Sequence, residues 1–208
     1  MSLNDTPRAN RLHIGLFGRR NSGKSSLVNA LTGQQVATVS AVPGTTTDPV
    51  YKAMELHGIG PVVFIDTAGF DDDGLLGKLR VEKTELAAKE TDIAVVLFGN
   101  EDMTEELGWV ERFRQSKTPV IAVISQTDDM ADGGQALARA VSEALTMTPL
   151  LVSARQGTGL DALRGELIRQ LPEDYEQRGI TGALCAAGDT VLLVMPQDIQ
   201  APKGDRKS

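Results

Sequence analysis

The chain has 208 residues, of which 41% are hydrophobic, and this length and composition suit one main domain with a single core. Its formal net charge of −7 and its pI near 4.9 argue against a broad basic surface for nucleic acid or for an anionic membrane. The only cysteine, Cys185, excludes an internal disulfide and a cysteine-built metal cluster within this chain.

No stretch of the sequence reaches the apolar length of a membrane span, and residues 1–11 lack the hydrophobic core of a signal peptide. We therefore expect a cytoplasmic protein that binds neither membrane nor nucleic acid. His13 and His57 have no second His or Cys nearby to complete a set of ligands, so we expect neither to be catalytic.

Short apolar runs alternate with amphipathic stretches, a pattern that indicates strands alternating with helices. In chain order the predicted strands are Leu12–Phe17, Val50–Leu56, Val62–Asp66, Ile93–Phe98, Val120–Ser125 and Leu150–Ser153. The predicted helices are Ser25–Leu31, Leu79–Glu90, Thr104–Arg114, Gln135–Leu145 and Leu160–Leu171. The alternation predicts an α/β fold in which a six-stranded, mostly parallel sheet carries helices on both faces.

One connection is too short for a crossover helix. Residues 57–61 join the strands at 50–56 and 62–66, so these two strands are predicted to form an antiparallel hairpin. The other strands are predicted to be parallel, and open α/β sheets bind their ligands at the carboxyl ends of such strands.

A change in composition predicts the end of the main domain. Pro172 closes the last helix, and the polar stretch Glu173–Arg178 is typical of a linker. Thr190–Met195 is a further strand candidate that Pro196 stops. We expect a main domain over residues 1–172 and, over 173–208, a linker with the start of a truncated second domain.

The run from Gly18 to Ser25 has the pattern G-x-x-x-x-G-K-S and stands between a predicted strand and a predicted helix. Its glycines allow backbone N–H groups to surround an anion, and the helix directs its positive end at phosphates. Lys24 can reach the β- and γ-phosphates, and the Ser25 hydroxyl can hold Mg²⁺. The run predicts a nucleotide site.

Two further segments carry groups for magnesium and for the γ-phosphate. Asp66-Thr67-Ala68-Gly69 follows a buried strand, where the carboxylate can bind Mg²⁺ through water and the Gly69 N–H can contact the γ-phosphate. The loop that contains Thr45-Thr46-Thr47 lies between the two motifs and can supply a second hydroxyl to Mg²⁺.

The residues that follow two later predicted strands are candidates for recognition of the nucleotide base. G proteins carry N-K-x-D where this chain has Ser125-Gln126-Thr127-Asp128. Asp128 can accept hydrogen bonds from guanine N1 and N2, which adenine cannot donate in that arrangement, so GTP is favoured over ATP. The changes at Ser125 and Gln126 are expected to cost about 1–3 kcal/mol, or roughly tenfold to a hundredfold in affinity. Ser153-Ala154-Arg155 can offer backbone N–H groups to guanine O6.

The order and spacing of these motifs resemble those of the translation-factor-related GTPases, in the Era- and TrmE-like branch that has an Asn inside the phosphate loop. Asn21 occupies that position, and the resemblance implies that it helps to hold K⁺ and that potassium stimulates hydrolysis. Phe70 stands where Ras-like enzymes place a water-orienting Gln, so K⁺ is expected to offset the developing charge. Arg19 and Arg20 are expected to be solvated charges of the loop.

Three segments narrow the resemblance: Arg11–Ile14, Gly44–Leu56 and Gly60–Asp66 are similar to HydF, a family of GTPases that helps to mature iron-iron hydrogenases. Gly188–Pro196 and Ala201–Gly204 are similar to the opening of the dimerisation domain of that family. The resemblance implies a GTP-driven switch that reaches hydrogenase maturation proteins through domains absent from this chain, and it allows a homodimer. It implies no iron-sulfur cluster in this chain, because the domain that would carry the cluster is absent.

The register of that family makes Thr46 the magnesium-binding threonine, with Thr45 and Thr47 left open because three identical residues blur the alignment. The resemblance and the motifs together predict slow GTP hydrolysis by in-line attack of water, with Mg²⁺ and K⁺ as cofactors. The predicted catalytic residues are Lys24, Thr46, Asn21 and Gly69. The predicted nucleotide-binding residues are Gly18, Asn21, Ser22, Gly23, Lys24, Ser25, Ser26, Ser125, Asp128, Ser153 and Ala154. Magnesium is assigned to Ser25, Thr46 and Asp66, and potassium to Asn21.

Two alternatives remain open. The altered base motif allows a nucleotide-sensing scaffold without useful turnover. An Era- or TrmE-like GTPase of ribosome assembly or tRNA modification would share Asn21 and the threonine-rich loop, although the acidic charge balance weighs against RNA binding.

Overall fold

The computed structural model describes residues 11–33, 49–67, 83–172 and Tyr175. The strands within these residues are β1 (Leu12–Phe17), β2 (Val50–Leu56), β3 (Gly60–Asp66), β4 (Ile93–Phe98), β5 (Val120–Ile124) and β6 (Leu150–Leu151). The helices are α1 (Lys24–Thr32), α2 (residues 83–89), α3 (Thr104–Gln115), α4 (Gln135–Leu145) and α5 (Leu160–Arg169). No described helix combines the length and the apolar character that crossing a bilayer requires.

The strands form one sheet in the order β2-β3-β1-β4-β5-β6. β1 pairs in parallel with β3 and β4, and the parallel ladder continues from β4 to β5 and from β5 to β6. β2 runs antiparallel to β3, and the turn between them uses Gly58 at a φ of 87°. The predicted mostly parallel sheet with one antiparallel hairpin is therefore confirmed.

Three strands differ in extent from their prediction. β5 ends at Ile124, one residue before the predicted Ser125. β3 begins at Gly60 rather than Val62, because the hairpin is tight enough for Leu56 to pair with Gly60. β6 ends at Leu151 rather than Ser153, because the Ser153 N–H turns away to the Thr158 carbonyl in an isolated bridge. The predicted helical residues 79–82 and the second domain over 173–208, apart from Tyr175, lie outside the described residues, so that domain boundary stays a prediction.

The core has two parts, one on each face of the sheet, because side chains alternate along the buried strands. On β4, Ile93, Val95 and Leu97 pack on the face that carries α1 and α5, and Ala94, Val96 and Phe98 on the face that carries α3 and α4. Phe17 of β1 packs against Phe113 and Trp109 of α3, with ring centroids 4.7 and 5.3 Å apart. The prediction of helices on both faces is confirmed.

This architecture gathers polar loops at one edge. Strands β1, β3, β4, β5 and β6 run in the same direction, so the loops that follow them all leave the sheet at their carboxyl ends. The phosphate-loop, magnesium and base motifs follow β1, β3, β5 and β6. The fold therefore brings together segments that are far apart in sequence.

Candidate nucleotide site

The loop between β1 and α1 closes around the side chain of its own lysine. Gly23 precedes α1 with a φ of 86°, and a Cβ on Gly18 would lie 2.7 Å from the Ser22 hydroxyl oxygen, so both positions favour glycine. Lys24 is buried, and its Nζ donates to the carbonyl oxygens of Gly18 and Arg19 at 2.8 and 2.7 Å. The loop therefore holds this ammonium at the N-terminal end of α1. The ammonium and the free N–H groups of the helix end both favour a bound anion such as phosphate.

Ser25 and Asp66 meet across the sheet edge. Ser25 lies in the first turn of α1 and Asp66 ends β3, and Ser25 Oγ donates to Asp66 Oδ2 at 2.5 Å. Mg²⁺ prefers such hard oxygen ligands, so the pair fits the magnesium site predicted from the sequence. Lys52 of β2 also approaches, with its Nζ 3.7 Å from the same Oδ2. None of the sequence motifs includes Lys52. The predicted hairpin of β2 and β3 nevertheless indicates that Lys52 lies near Asp66, because the two strands pair side by side.

Both oxygens of Asp128 are engaged by the loop after β6. Ser153 Oγ donates to Oδ1 at 2.5 Å, and Arg155 Nε lies 2.8 Å from Oδ2. The Ser153 hydroxyl is the largest influence that holds the pKa of the Asp128 carboxyl below its ordinary value. The Asp128 side chain is only 4% exposed whereas that of Arg155 is 72% exposed. A base can therefore reach Oδ2 by displacing a solvated arginine.

Ser125 and Gln126, which replace the Asn and Lys of N-K-x-D, have different roles in this structure. Ser125 is buried, and its hydroxyl donates to the Phe98 carbonyl at 3.4 Å, which joins the ends of β4 and β5. Gln126 adopts a φ of 56°, and its Nε2 donates to the Asn21 carbonyl at 3.1 Å. Gln126 thus links the base loop to the phosphate loop.

Comparison with known proteins assigns these loops to a family. A family model described as 50S ribosome-binding GTPase matches residues 13–126, which include the phosphate loop and extend to the base motif. The chain belongs to this GTPase family. The predicted GTP-binding P-loop domain is therefore confirmed, and Mg²⁺ is the cation that such GTPases use with GTP and GDP.

Relatives of this GTPase domain carry the name tRNA modification GTPase MnmE. The protein from Janthinobacterium sp. (strain Marseille) is 38% identical over 195 residues, which cover 90% of this chain and 40% of the relative. The protein from Polynucleobacter asymbioticus is 34% identical over 177 residues, 81% of this chain and 36% of the relative. The GTPase domain thus spans about two fifths or less of these curated relatives.

Solved structures of Era show the same fold. Aquifex aeolicus Era bound to GDP and aluminium fluoride is 27% identical, with a TM-score of 0.64, over 77% of this chain and 57% of that one. An Era complex with MgGDPNP and a segment of 16S ribosomal RNA is 25% identical, with a TM-score of 0.66, over 82% of this chain and 60% of that one. The GTPase domain is thus related to MnmE and Era, and membership of HydF stays a prediction.

Arg19 of the GTPase domain is not the solvated loop charge that the sequence predicted. Its side chain is 20% exposed, and its guanidinium lies 2.8 Å from Asp102 Oδ2 and 3.4 Å from Glu106 Oε1. The hydrogen bond from Arg19 lowers the pKa of the Asp102 carboxyl to about 2, whereas burial raises that of Glu106. The prediction was wrong because acidic residues at the start of α3 meet the phosphate loop. Arg20 is exposed as expected.

Some of the remaining predicted site residues of the GTPase domain are described by the structure, and others are not. Ser22 is buried inside the phosphate loop, and Asn21 and Ser26 are exposed on its surface. Ala154 follows Ser153 in the loop that contacts Asp128. Thr46, with its alternatives Thr45 and Thr47, and Gly69 lie outside the described residues, so their roles stay predictions.

Proposed function

We propose that this domain binds GTP with Mg²⁺ at the sheet edge described above and hydrolyses it slowly to GDP and phosphate. The observation that carries the proposal is that Lys24, the Ser25–Asp66 pair and Asp128 all lie in loops at the carboxyl ends of one sheet, where Gln126 joins the base loop to the phosphate loop. These groups have the charges and hydrogen-bonding capacity that a triphosphate, a divalent cation and a guanine require.

Each residue has a distinct task in the proposed reaction. The Lys24 ammonium and the N–H groups at the start of α1 bind and orient the β- and γ-phosphates. Ser25, Asp66 and Thr46 hold Mg²⁺, which neutralises phosphate charge when bound. The Gly69 N–H contacts the γ-phosphate, and Asp128, with the backbone of Ser153 and Ala154, orients the base. The loops around Thr46 and Gly69 then respond to the presence or loss of the γ-phosphate.

Potassium stimulation is the second part of the proposal. Asn21 is exposed at the surface of the phosphate loop, and its backbone carbonyl is held by Gln126. Its side-chain amide oxygen is therefore available to an alkali cation beside the phosphates. K⁺ at that position would offset negative charge that develops between the β- and γ-phosphates.

We expect GTP hydrolysis in KCl to be at least about tenfold faster than in NaCl of equal ionic strength, because one preorganised charge stabilises the transition state. Asn21→Ala should remove this difference while leaving the Na⁺ rate unchanged. The measurement is phosphate release at saturating GTP and Mg²⁺. Equal rates in the two salts for the unmodified chain would remove the potassium role and leave the nucleotide site intact.

We further propose that the switch serves the maturation of iron-iron hydrogenases. The resemblance of Gly44–Leu56 and Gly60–Asp66 to HydF supports this setting, and these segments contain Thr46 and Asp66, which are assigned to magnesium. Partners would be hydrogenase maturation proteins reached through domains outside this chain, with a homodimer as one arrangement. Nucleotide-dependent capture of such a maturation protein by the full-length gene product tests this setting.

A role in tRNA modification is the second candidate, because the relatives reported above are named for it. The formal net charge of −7 disfavours RNA binding by this domain itself. RNA that copurifies with the full-length protein, in an amount that falls with salt, would favour this candidate over hydrogenase maturation. A scaffold without turnover would instead bind GDP but show no phosphate release above buffer in a single-turnover assay.

A further inference from the structure

Lys52 is brought to the proposed magnesium site by the register of the β2–β3 hairpin. In that register Lys52 lies opposite Phe64, and Val50 lies opposite Asp66. Residues two positions apart on a strand share a face, so Lys52 and Asp66 are diagonal neighbours on the same face. Their charged groups meet there, with Nζ 3.7 Å from Oδ2.

The two groups that approach Asp66 use one and the same oxygen. Oδ2 accepts the hydrogen bond from Ser25 Oγ at 2.5 Å and also faces the Lys52 ammonium. The Lys52 side chain is 15% exposed and that of Asp66 is 11% exposed, so the pair is only weakly screened by water. Lys52 therefore places a fixed positive charge beside the atoms that are assigned to the metal.

We propose that Lys52 competes with Mg²⁺ for Asp66 and so lowers the magnesium affinity of the nucleotide complex. This inference rests on the proposed nucleotide function of the site. Ser25 and Asp66 would hold Mg²⁺, and the Lys52 ammonium would repel the cation while it occupies the same carboxylate. Lys52 thus favours exchange of the nucleotide at low magnesium concentrations, whereas an uncharged residue at this position would hold the metal and the nucleotide longer.

The size of the effect follows from electrostatics. Removing one charge a few ångströms from a divalent cation changes its binding by about tenfold even when water screens the two charges almost fully. Lys52→Met keeps most of the aliphatic stem of the side chain and removes only the ammonium. We therefore expect the magnesium midpoint to fall about tenfold in Lys52→Met and to stay near its original value in Lys52→Arg.

The experiment follows release of N-methylanthraniloyl-GDP by fluorescence while the free Mg²⁺ concentration is set with EDTA. The midpoint is the Mg²⁺ concentration at which release is slowed by half. Lys89→Met is the matched control, because it removes an equal charge from the end of α2 that precedes β4, whereas the site lies at the carboxyl ends of the strands. Its midpoint should equal that of the unmodified chain. Thermal unfolding of each variant is recorded, and Lys52→Gln replaces Lys52→Met if the latter does not fold.

Two different failures can be told apart. A midpoint in Lys52→Met and Lys52→Gln that is unchanged or higher, in a chain whose GDP release is slowed by Mg²⁺, overturns the role of Lys52 alone. A chain that does not bind the fluorescent GDP at any Mg²⁺ concentration overturns the proposed nucleotide site itself.

Discussion

Lys24→Met should lower the affinity for GTP by about a hundredfold or more. The ammonium lies at the N-terminal end of α1, held by the carbonyl oxygens of Gly18 and Arg19, and phosphate oxygens compete well for such a donor. Hydrogen bonds to charged groups contribute about 1.5–3 kcal/mol each, and about 2.7 kcal/mol corresponds to a hundredfold change in affinity. Displacement of fluorescent GTP by unlabelled nucleotide measures the change.

The control for this prediction is again Lys89→Met, which should bind GTP like the unmodified chain. Methionine keeps the packing of the buried Lys24 stem, so the variant should fold, and its circular dichroism spectrum checks this. A folded Lys24→Met variant whose GTP affinity stays within about threefold of the original would contradict the assignment of this residue to the phosphates.

Asp128→Asn should exchange the base preference of the site. Guanine offers two N–H donors to a carboxylate, whereas an Asn side chain offers one acceptor oxygen and one amide donor. We expect GTP affinity to fall by about a hundredfold, because a buried donor loses its acceptor. Xanthosine triphosphate, with a carbonyl in place of the exocyclic amine, should bind the variant more tightly than GTP does. Competition binding with GTP, xanthosine triphosphate and ATP measures the exchange.

The acid limit of guanine binding tests the same residue independently. The hydrogen bond from Ser153 lowers the pKa of Asp128 below its ordinary value of 3.8, so the charged form is present at all higher pH values. The contribution of the Asp128 carboxylate to guanine binding is therefore complete above pH 3.8 and is lost only as the pH falls through the lowered pKa of this group. Ser153→Ala should move this loss to higher pH. An unchanged acid limit would show that the hydroxyl does not govern the charge of Asp128.

The strands and the phosphate loop were accessible from the sequence because their signals are local. The apolar run Ile93–Phe98 is wholly buried, as its composition indicates. The phosphate-loop pattern requires glycine at two positions, and in the structure Gly18 has no room for a Cβ and Gly23 has a positive φ. The sequence assigns both Ser25 and Asp66 to magnesium, and the two lie within hydrogen-bond distance because both motifs follow strands that end on the same side of a parallel sheet.

Contacts between the loops were not accessible in the same way. The bond from Gln126 to the Asn21 carbonyl depends on a positive φ at Gln126, which its residue type disfavours. The Arg19 contact with Asp102 depends on how α3 packs on the sheet, where Trp109 and Phe113 lie against Phe17. Lys52 lies diagonal to Asp66 because Leu56 pairs with Gly60, and the hairpin signal alone does not define that pairing. Such details arise from tertiary packing rather than from local pattern.

Titration calorimetry of the unmodified chain with GDP and with ADP, at saturating Mg²⁺, tests the central claim most directly. The account predicts heat from one bound GDP per chain and none from ADP at the same concentrations, because Asp128 accepts only from guanine. Absence of heat with GDP, or tighter binding of ADP, would contradict it.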